Sequence, residues 1–212
     1  MSPGELRQFL TKSHVTDCAK RLLGCEIVAP DCRIRIVEAE AYGGSEDPNS
    51  HAHRGVTPRN SVMFGPAGHA YVYFNYGMHW LFNVTCQPDG VPGAVLIRAA
   101  TVVTGEGKIR QRRPKAKTDK DLLSGPGKIG AALAVTGEHT GIDLLDESSS
   151  HYLVAEAPVK GVLTGPRVGL PGGIDHGMMW RFIDEERADW ASAPPIQPYS
   201  ARVGYVSPAR KE

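Results

Sequence analysis

The sequence predicts an α+β fold, in which a curved, mostly antiparallel β-sheet forms the core of a single domain and helices pack around it. Three observations favour this class. Paired strand patterns are joined by short turns, helical patterns precede and follow them, and the 212 residues, 41% of them hydrophobic, contain neither an internal repeat nor a clear linker. We therefore expect one domain over residues 1–212, with a frayed tail at about 200–212.

The first elements are a short helix and a β-hairpin. An amphipathic pattern capped by Ser13 or Thr16 predicts a helix that runs to Leu23. Strand patterns follow over residues 25–29 and 33–42, and the Pro-Asp turn signal between them predicts that these strands pair as a hairpin.

A long polar loop and a second hairpin come next. Residues 43–66 are rich in Gly, Pro, His and Asn, and a loop of this length inside a compact domain is typically functional. Strand patterns over residues 70–74 and 80–86 flank a turn at residues 75–78, and a further strand is expected over residues 93–103.

Two helices are expected in the second half of the chain, over residues 106–113 and 127–135. The second follows Ser124-Gly-Pro126, a cap-and-proline start that places Lys128 near a helix N-terminus, where anions bind well. Beyond Gly137 the chain is rich in Gly and Pro, and we expect only short strands there.

Composition excludes some classes of protein and leaves others open. The sequence has no apolar run of about 18 residues and no basic-then-apolar leader, so we expect neither a membrane span nor a secretory signal. Its four cysteines form no CxxC pair and are expected to be reduced structural thiols. The net charge is only +1, but the run Lys108–Lys120 holds seven basic residues. That run is either a solvated loop or a contact for a phosphate backbone.

Two carboxylates at the end of the second strand are the strongest functional signal. Side chains two apart in a regular strand share one face. If no bulge intervenes, one face of this strand consists of Ile34, Ile36, Glu38, Glu40 and Tyr42. A partly buried carboxylate with a second one about 7 Å away has a raised pKa and can serve as a general base. The alternative is a pair of structural glutamates that are solvated or paired with nearby arginines.

The second hairpin carries an aromatic tip. Tyr71 and Tyr73 share a strand face, whereas Tyr76 lies in the turn. Such a ring either packs back as a small satellite core or acts as a wedge for a flat partner such as a base stack. Asn83 on the returning strand falls among inward-facing positions, and a buried amide must find hydrogen-bond partners.

A metal site is a weaker hypothesis. His51 and His53 in the long loop could hold a metal ion together with Glu40. A lone His-x-His pair is a weak signal, because a third ligand is needed.

Together these motifs resemble the alkyladenine (3-methyladenine) DNA glycosylases. The likeness runs from about Leu6 to Gly169, and the matching segments occur in the family's order. They are Arg35–Tyr42, Thr57–Asn60, Tyr71–Met78, Asn83, Val95–Arg98, and Ser124–Pro126 with Lys128.

The resemblance implies an enzyme that hydrolyses the bond between a damaged purine and its deoxyribose in double-stranded DNA. It also implies a monomer that needs no metal or other cofactor. Glu40 would hold and deprotonate the attacking water, and Arg98 would lie near that water and the target phosphate. Glu38 would be structural, so the substitution Glu38→Gln should retain most excision activity.

The resemblance also assigns the base pocket and the DNA contacts. The flipped base would stack between Tyr42 and His51 on one side and Tyr73 on the other. Asn83 would disfavour the amino group of normal guanine, and backbone groups at His51 and around Val168 would read the base edge. The expected DNA contacts are Tyr76, which would enter the gap left in the duplex, and Met78, Thr57, Arg59 and Lys128.

Some features depart from the family pattern. Asn75 and His79 stand where an aliphatic residue and a tyrosine are common, so the seating of the wedge and the lesion preference could differ, and the segment after Gly169 fits less closely. A non-catalytic damaged-DNA binding module and a metal hydrolase are the alternatives. We expect a bacterial cytoplasmic, nucleoid-associated protein, although a nucleus is also compatible.

Overall fold

A computed structural model describes residues 1–170, 175 and 177–193, and the predicted tail at 200–212 lies outside the described residues. The helices are α1 (Pro3–Lys12), α2 (Val15–Leu22), α3 (Glu106–Arg112), α4 (Asp119–Leu123) and α5 (Pro126–Ala132). The strands are β1 (Glu26–Ala29), β2 (Cys32–Tyr42), β3 (Ala70–Asn75), β4 (His79–Thr85), β5 (Ala94–Thr104), β6 (Tyr152–Val154), β7 (Val162–Gly165) and β8 (Arg181–Asp184).

One eight-stranded sheet organises these elements. Its main path runs β3-β4-β5-β2-β1-β6, while β8 pairs with both β2 and β7. The pairings within the described part of the chain are antiparallel. One large apolar cluster, formed by residues from α1, α2, α5 and the central strands, lies between the sheet and the helices. The predicted α+β class is therefore confirmed, as are both predicted hairpins.

The N-terminal region differs from the prediction. Helix α1 was not predicted, although Ser2 and Glu5 form a capping box at its start and Pro3 occupies its first turn. Its Leu6 and Leu10 are fully buried. The cap of α2 is His14 rather than Ser13 or Thr16, because the His14 side chain accepts the Thr16 backbone N–H. Helix α4 was also missed.

Strand β2 contains an irregularity that the sequence pattern did not show. The register with β5 shifts between Ile36 and Glu38, so that Val37 is an extra residue on β2, and it shifts back where Arg98 is an extra residue on β5. A β-bulge of this kind reverses the alternation of the side chains that follow it. The prediction that Ile36 and Glu40 share one face is therefore wrong.

The two halves of β2 consequently bury different groups on the core face. Ile34 and Ile36 belong to the main apolar cluster before the bulge, whereas Ala39 and Ala41 belong to it after the bulge. Glu40 therefore lies on the face opposite to that cluster. The neighbours of β2 change at the same place, because β1 pairs with residues 32–35 and β8 pairs with residues 38–40.

Helix α5 lies very close to strand β4. A Cβ atom on Gly130 would stand 2.0 Å from the Trp80 carbonyl oxygen, and a Cβ atom on Gly127 would stand 2.7 Å from the ring of His79. Glycine at these positions allows the helix backbone to approach the strand. This contact places Pro126, the first residue of α5, beside the cavity described below.

Candidate active site

Glu40 is a fully buried carboxylate that accepts three hydrogen bonds. Its Oε2 accepts from the Tyr42 hydroxyl at 2.9 Å and from Arg98 Nη1 at 3.1 Å, and its Oε1 accepts from the Val168 N–H at 2.7 Å. A carboxylate offers about four acceptor positions. The described residues fill three of these positions, and a water molecule can be the donor to the fourth.

The pKa of Glu40 is raised, and burial is the largest cause. Arg98, the Val168 N–H and the Tyr42 hydroxyl oppose the rise, whereas the nearby Glu38 adds to it. A glutamate with a raised pKa binds protons more strongly than an exposed one, which suits a general base.

Glu38 is equally buried but has different partners. It accepts Arg181 Nε at 2.5 Å and the Ser192 N–H at 2.6 Å, and Arg98 Nε lies 3.5 Å from it. Arg181 is itself buried at the start of β8. Glu38 is thus surrounded by scaffold groups, and it contacts Arg98 at Nε, whereas Glu40 contacts Arg98 at Nη1.

Arg98 is the residue at which the β5 register shifts, and it connects the two carboxylates. Besides its contacts with Glu40 and Glu38, its Nη1 donates to the Val168 carbonyl at 3.1 Å. Burial opposes its charge, but Glu40 and Glu38 outweigh burial and raise the pKa of the guanidinium. Arg98 is therefore a fixed cation beside Glu40.

A cavity of about 310 Å³ opens next to this cluster. That volume lies at the lower end of the range for small-molecule pockets. Glu40 is not in its lining, and instead lies directly behind Tyr42, Arg98 and Val168. Seven of the predicted site residues do line it: Tyr42, His51, Tyr73, Tyr76, Asn83, Arg98 and Val168.

The aromatic walls of the cavity are held by side-chain contacts. His51 Nδ1 lies 2.8 Å from the Tyr71 hydroxyl, and the ring of His51 meets the ring of Tyr73 edge-on at 4.6 Å. The prediction grouped His51 with Tyr42 on one side of a flipped base; without a bound base that grouping stays a prediction. Burial, helped by the charge of Arg59, lowers the pKa of His51, which keeps its ring neutral at pH 7.

Asn83 and Asn60 are two buried amides near the cavity that bind different parts of the backbone. Asn83 Nδ2 donates to the Tyr71 carbonyl at 2.9 Å, which confirms that this amide is buried and has a partner. Asn60 was not assigned a role from the sequence. Its Nδ2 donates to the carbonyls of His51 (2.8 Å) and Gly55 (3.0 Å) and so fixes the loop that carries His51.

A second buried charge cluster lies behind Tyr42, and sequence reasoning missed it. Arg167 forms ion pairs with Asp47 at 2.7 Å and with Asp175 at 2.8 Å. Its guanidinium lies 4.6 Å from the centre of the Tyr42 ring and 5.4 Å from that of Trp180. Arg167 does not line the cavity, so it covers the side of Tyr42 that faces the protein interior.

No group of three or more His, Cys, Asp and Glu side chains among the described residues is arranged to hold a metal ion. His51, His53 and Glu40 form no such group. The four cysteines are buried and unpaired. Within residues 1–170 and 177–193, no helix is long and apolar enough to cross a membrane.

The methylpurine-DNA glycosylase (MPG) family model matches residues 8–188, which is most of the chain. The chain belongs to the methylpurine-DNA glycosylase family. This membership confirms both the predicted family and the predicted enzyme class, a DNA glycosylase that hydrolyses N-glycosyl bonds.

Bacterial relatives of the glycosylase agree with this membership. A protein of Nocardia farcinica is 47% identical over 171 residues, or 77% of this chain and 80% of its own length. Relatives from Rhodococcus jostii (46% over 178 residues; 82% and 78%) and Streptomyces avermitilis (42% over 206 residues; 93% and 92%) are similar. Each carries the description "Putative 3-methyladenine DNA glycosylase".

The predicted DNA contacts of the glycosylase lie around the cavity mouth or on the second hairpin. Tyr76 at the tip is 76% exposed with a positive φ of 49°, and Met78 beside it is 67% exposed. The tip is therefore not a satellite core. Arg59 donates to the Phe74 carbonyl at 3.3 Å and lies over the Tyr73 ring.

Thr57 and Lys128 have local partners in the glycosylase. The Thr57 N–H donates to Asn60 Oδ1 at 2.6 Å, and Lys128 Nζ donates to Ser124 Oγ at 3.0 Å. Partial burial is the largest cause of the lowered pKa of Lys128; the nearby carboxylate of Asp121 opposes it, and the charges of Arg113 and Lys120 add to it. Lys128 therefore lies beside the start of α5 among charges of both signs, with Arg113, Lys120 and Asp121 as neighbours.

The basic run Lys108–Lys120 is partly structural. Its arginines bind within the protein: Arg110 pairs with Glu106, Arg112 with Asp31, and Arg113 with the Asp121 carbonyl. Its lysines are exposed. The run thus combines a set of packing contacts with a set of exposed charges.

Proposed function

We propose that this protein is a monofunctional DNA glycosylase of base excision repair. It flips alkylated or deaminated purines of the 3-methyladenine, ethenoadenine and hypoxanthine types from double-stranded DNA and hydrolyses the N-glycosidic bond, which leaves an abasic site. The observation that carries this proposal is Glu40, a buried carboxylate with one remaining acceptor position beside an aromatic cavity. The bacterial origin of the relatives supports action in a bacterial cytoplasm.

Glu40 is proposed to act on water and on the sugar. A water that donates to the remaining acceptor position of Glu40 transfers a proton to it as the oxygen attacks the anomeric carbon. As the bond to the base breaks, positive charge develops on the deoxyribose, and the nearby carboxylate stabilises that charge. No second carboxylic acid is required when the leaving base is already cationic.

Arg98 is proposed to keep Glu40 ionised and to orient the reacting groups. Its Nη1 contacts both the Glu40 carboxylate and the Val168 carbonyl, and the guanidinium lines the cavity. A cation in this position also suits the phosphate of the target nucleotide.

The flipped base is proposed to stack between Tyr42 and the pair formed by His51 and Tyr73. All three rings line the cavity, and π-faces stabilise a base that has left the duplex. Neutral His51 adds no repulsion against a cationic alkylated base. Asn83, held by its amide nitrogen at the cavity floor, is proposed to exclude the exocyclic amino group of guanine.

The exposed hairpin tip is proposed to face the duplex. Tyr76 would fill the gap that the flipped nucleotide leaves, as apolar wedges do in other proteins that distort DNA. The partners in this reaction are a monomer of this chain and a duplex with a damaged purine, and Met78, Thr57, Arg59 and Lys128 are the proposed contacts around the tip and the cavity mouth.

The test is single-turnover excision from a duplex with one ethenoadenine, hypoxanthine or alkylated purine. Chelator is present, and strand breaks are scored before and after alkali. We expect alkali-dependent breaks from the wild type and none from Glu40→Gln. The control variant Glu26→Gln removes a buried, arginine-paired carboxylate from β1, far from the cavity, and should retain activity.

Other outcomes would overturn the proposal. Tight binding of damaged DNA without breaks by the wild type would identify a damage-recognition module. Activity that disappears with chelator would identify a metal hydrolase, and equal activity of the wild type and Glu40→Gln would remove Glu40 from the mechanism.

A further inference from the structure

Arg167 is a charged side chain with a bonding partner on each of its three nitrogens. Its side chain is fully buried. Two nitrogens bind the two oxygens of Asp47 at 2.7 and 2.8 Å, and Nε binds Asp175 at 2.8 Å. Nη1 also donates to the Ala41 carbonyl at 2.9 Å. These contacts fix the guanidinium in one plane.

These contacts join segments that are far apart in the sequence. Ala41 belongs to the end of β2, and Asp47 belongs to the loop that leads to His51. Asp47 Oδ2 also accepts the Gly43 N–H at 3.1 Å. Asp175 accepts both the side chain and the backbone N–H of Arg167, the latter at 2.7 Å. Arg167 therefore connects β2, the 43–52 loop and the segment that carries Val168.

Two groups that bind Glu40 depend on this connection. Val168 follows Arg167 directly, and its N–H donates to Glu40 Oε1. Tyr42, whose hydroxyl donates to Glu40 Oε2, rests on the Arg167 guanidinium at 4.6 Å. The interior side of Tyr42 is thereby occupied, so its ring position is set from behind.

We propose that Arg167 is a positioning residue for this reaction: paired with Asp47 and Asp175, it holds Tyr42 and the Val168 peptide in the places from which both donate to Glu40. This inference rests on the proposed function. It assigns the arginine no contact with the substrate.

The arrangement has a consequence for the ionisation of Glu40. Among the described residues, the charged and titratable groups that act on Glu40 are Arg98 on β5, Glu38 and Tyr42 on β2, and Tyr73 on β3, and the Val168 N–H donates to it as well. If Arg167 no longer fixes Val168 and Tyr42, two donors to the carboxylate weaken while its burial persists. The pKa of Glu40 then rises further.

The test compares pH profiles of single-turnover excision for the wild type and Arg167→Lys. The substrate is a duplex with one 3-methyladenine, whose base is cationic and needs no general acid. The acid limb of the profile, where the rate falls as Glu40 becomes protonated, therefore reports the ionisation of Glu40. Lysine keeps the charge but cannot bind both aspartates in one plane. We expect the acid limb to move up by about one pH unit, because one charge-assisted hydrogen bond has roughly that effect on a pKa.

Arg7→Lys is the matched control. Arg7 binds both oxygens of one aspartate, Asp143, at 2.7 Å and also the Ala67 carbonyl, so it has partners of the same kinds as Arg167 but lies outside the site. The substitution Arg7→Lys should lower the free energy of unfolding without moving the acid limb of the pH profile. If Arg167→Lys does not fold, Asp175→Asn, which leaves the Asp47 pair in place, should move the limb in the same direction by a smaller amount.

The outcomes separate this inference from the proposed function. A wild type without excision activity removes the proposed function and the inference with it. Suppose instead that the wild type is active and that the Arg167 and Asp175 variants keep the wild-type acid limb, whatever their overall rates. This result overturns only the inference, because Arg167 would then have a merely structural role.

Discussion

Glu38 and Glu40 have the same side chain and the same full burial, but their partners differ. Glu38 is bound by Arg181, by the Ser192 N–H and by the side of Arg98. Glu40 is bound by groups that also line the cavity. The different surroundings therefore give Glu38 a scaffold role and make Glu40 the better candidate for the reaction with water.

The substitution Glu38→Gln is expected to separate stability from catalysis. Loss of the carboxylate leaves two buried arginines with less compensation, and breaking a buried ion pair typically costs about 3 kcal/mol or more. Urea denaturation should therefore show a clear loss in the free energy of unfolding, while the folded fraction retains most of its single-turnover excision rate. A rate as low as that of Glu40→Gln would contradict this division of roles.

At the scale of single elements, the sequence predicted the bounds of the strands well. It predicted poorly which side chains of a strand face the core. Alternation and turn residues predicted β2, β3, β4 and β5 to within two residues at each end. The bulge at Val37 could not be predicted in the same way, because it depends on how β2 pairs with β5 and β8. It turns both glutamates away from the main apolar cluster.

Helix α1 was a different kind of omission, because its signal was present. Ser2, Pro3 and Glu5 are the residue types that begin a helix, in the right order and spacing. By contrast, the cap of α2 by His14 follows no common preference.

Gly130→Ala is a test of the close contact between α5 and β4. The new methyl group would meet the Trp80 carbonyl oxygen at 2.0 Å, so the helix must shift, at a cost of about 1–3 kcal/mol. The control Gly4→Ala in α1 has open space around it and should stabilise by up to about 1 kcal/mol. Equal urea denaturation midpoints for the two variants would contradict the close contact between α5 and β4.

At the scale of the whole molecule, exposed positive charge is distributed unevenly around the cavity. Lys120 and Lys128 lie near each other beside the start of α5, where Pro126 lines the cavity. Lys108 instead lies near Asp31, at the end of β2 that is remote from Glu40. The net charge of +1 for the whole chain does not reveal this difference in the positions of the lysines.

Lys120→Ala is therefore expected to weaken binding to duplex DNA, whereas Lys108→Ala is not. Each phosphate contact that is lost lowers the slope of log Kd against log salt by about one. Titration of a labelled duplex at several salt concentrations measures both slopes. Equal slopes for the two variants would show that the position of the lysine within the basic run is unimportant, which would contradict the expectation.

The part of the site that the sequence did not predict consists of contacts between distant residues. Glu40, Tyr42, Arg98 and Asn83 belong to motifs that could be read locally and from the family resemblance. Arg167 and its two aspartates give no local signal, because Asp47 precedes the arginine by 120 positions. Their proximity is a product of folding.

The buried ionic groups beneath the cavity have a further consequence, which concerns their charge balance. Among the residues that the structure describes, and with Glu40 ionised, the four carboxylates of Glu38, Glu40, Asp47 and Asp175 face three guanidiniums, those of Arg98, Arg167 and Arg181. One negative charge is left over. In the proposed reaction this charge attracts the sugar while the sugar is cationic and much less once water has added to it. We therefore expect the imbalance to favour the transition state over the abasic product and to ease product release.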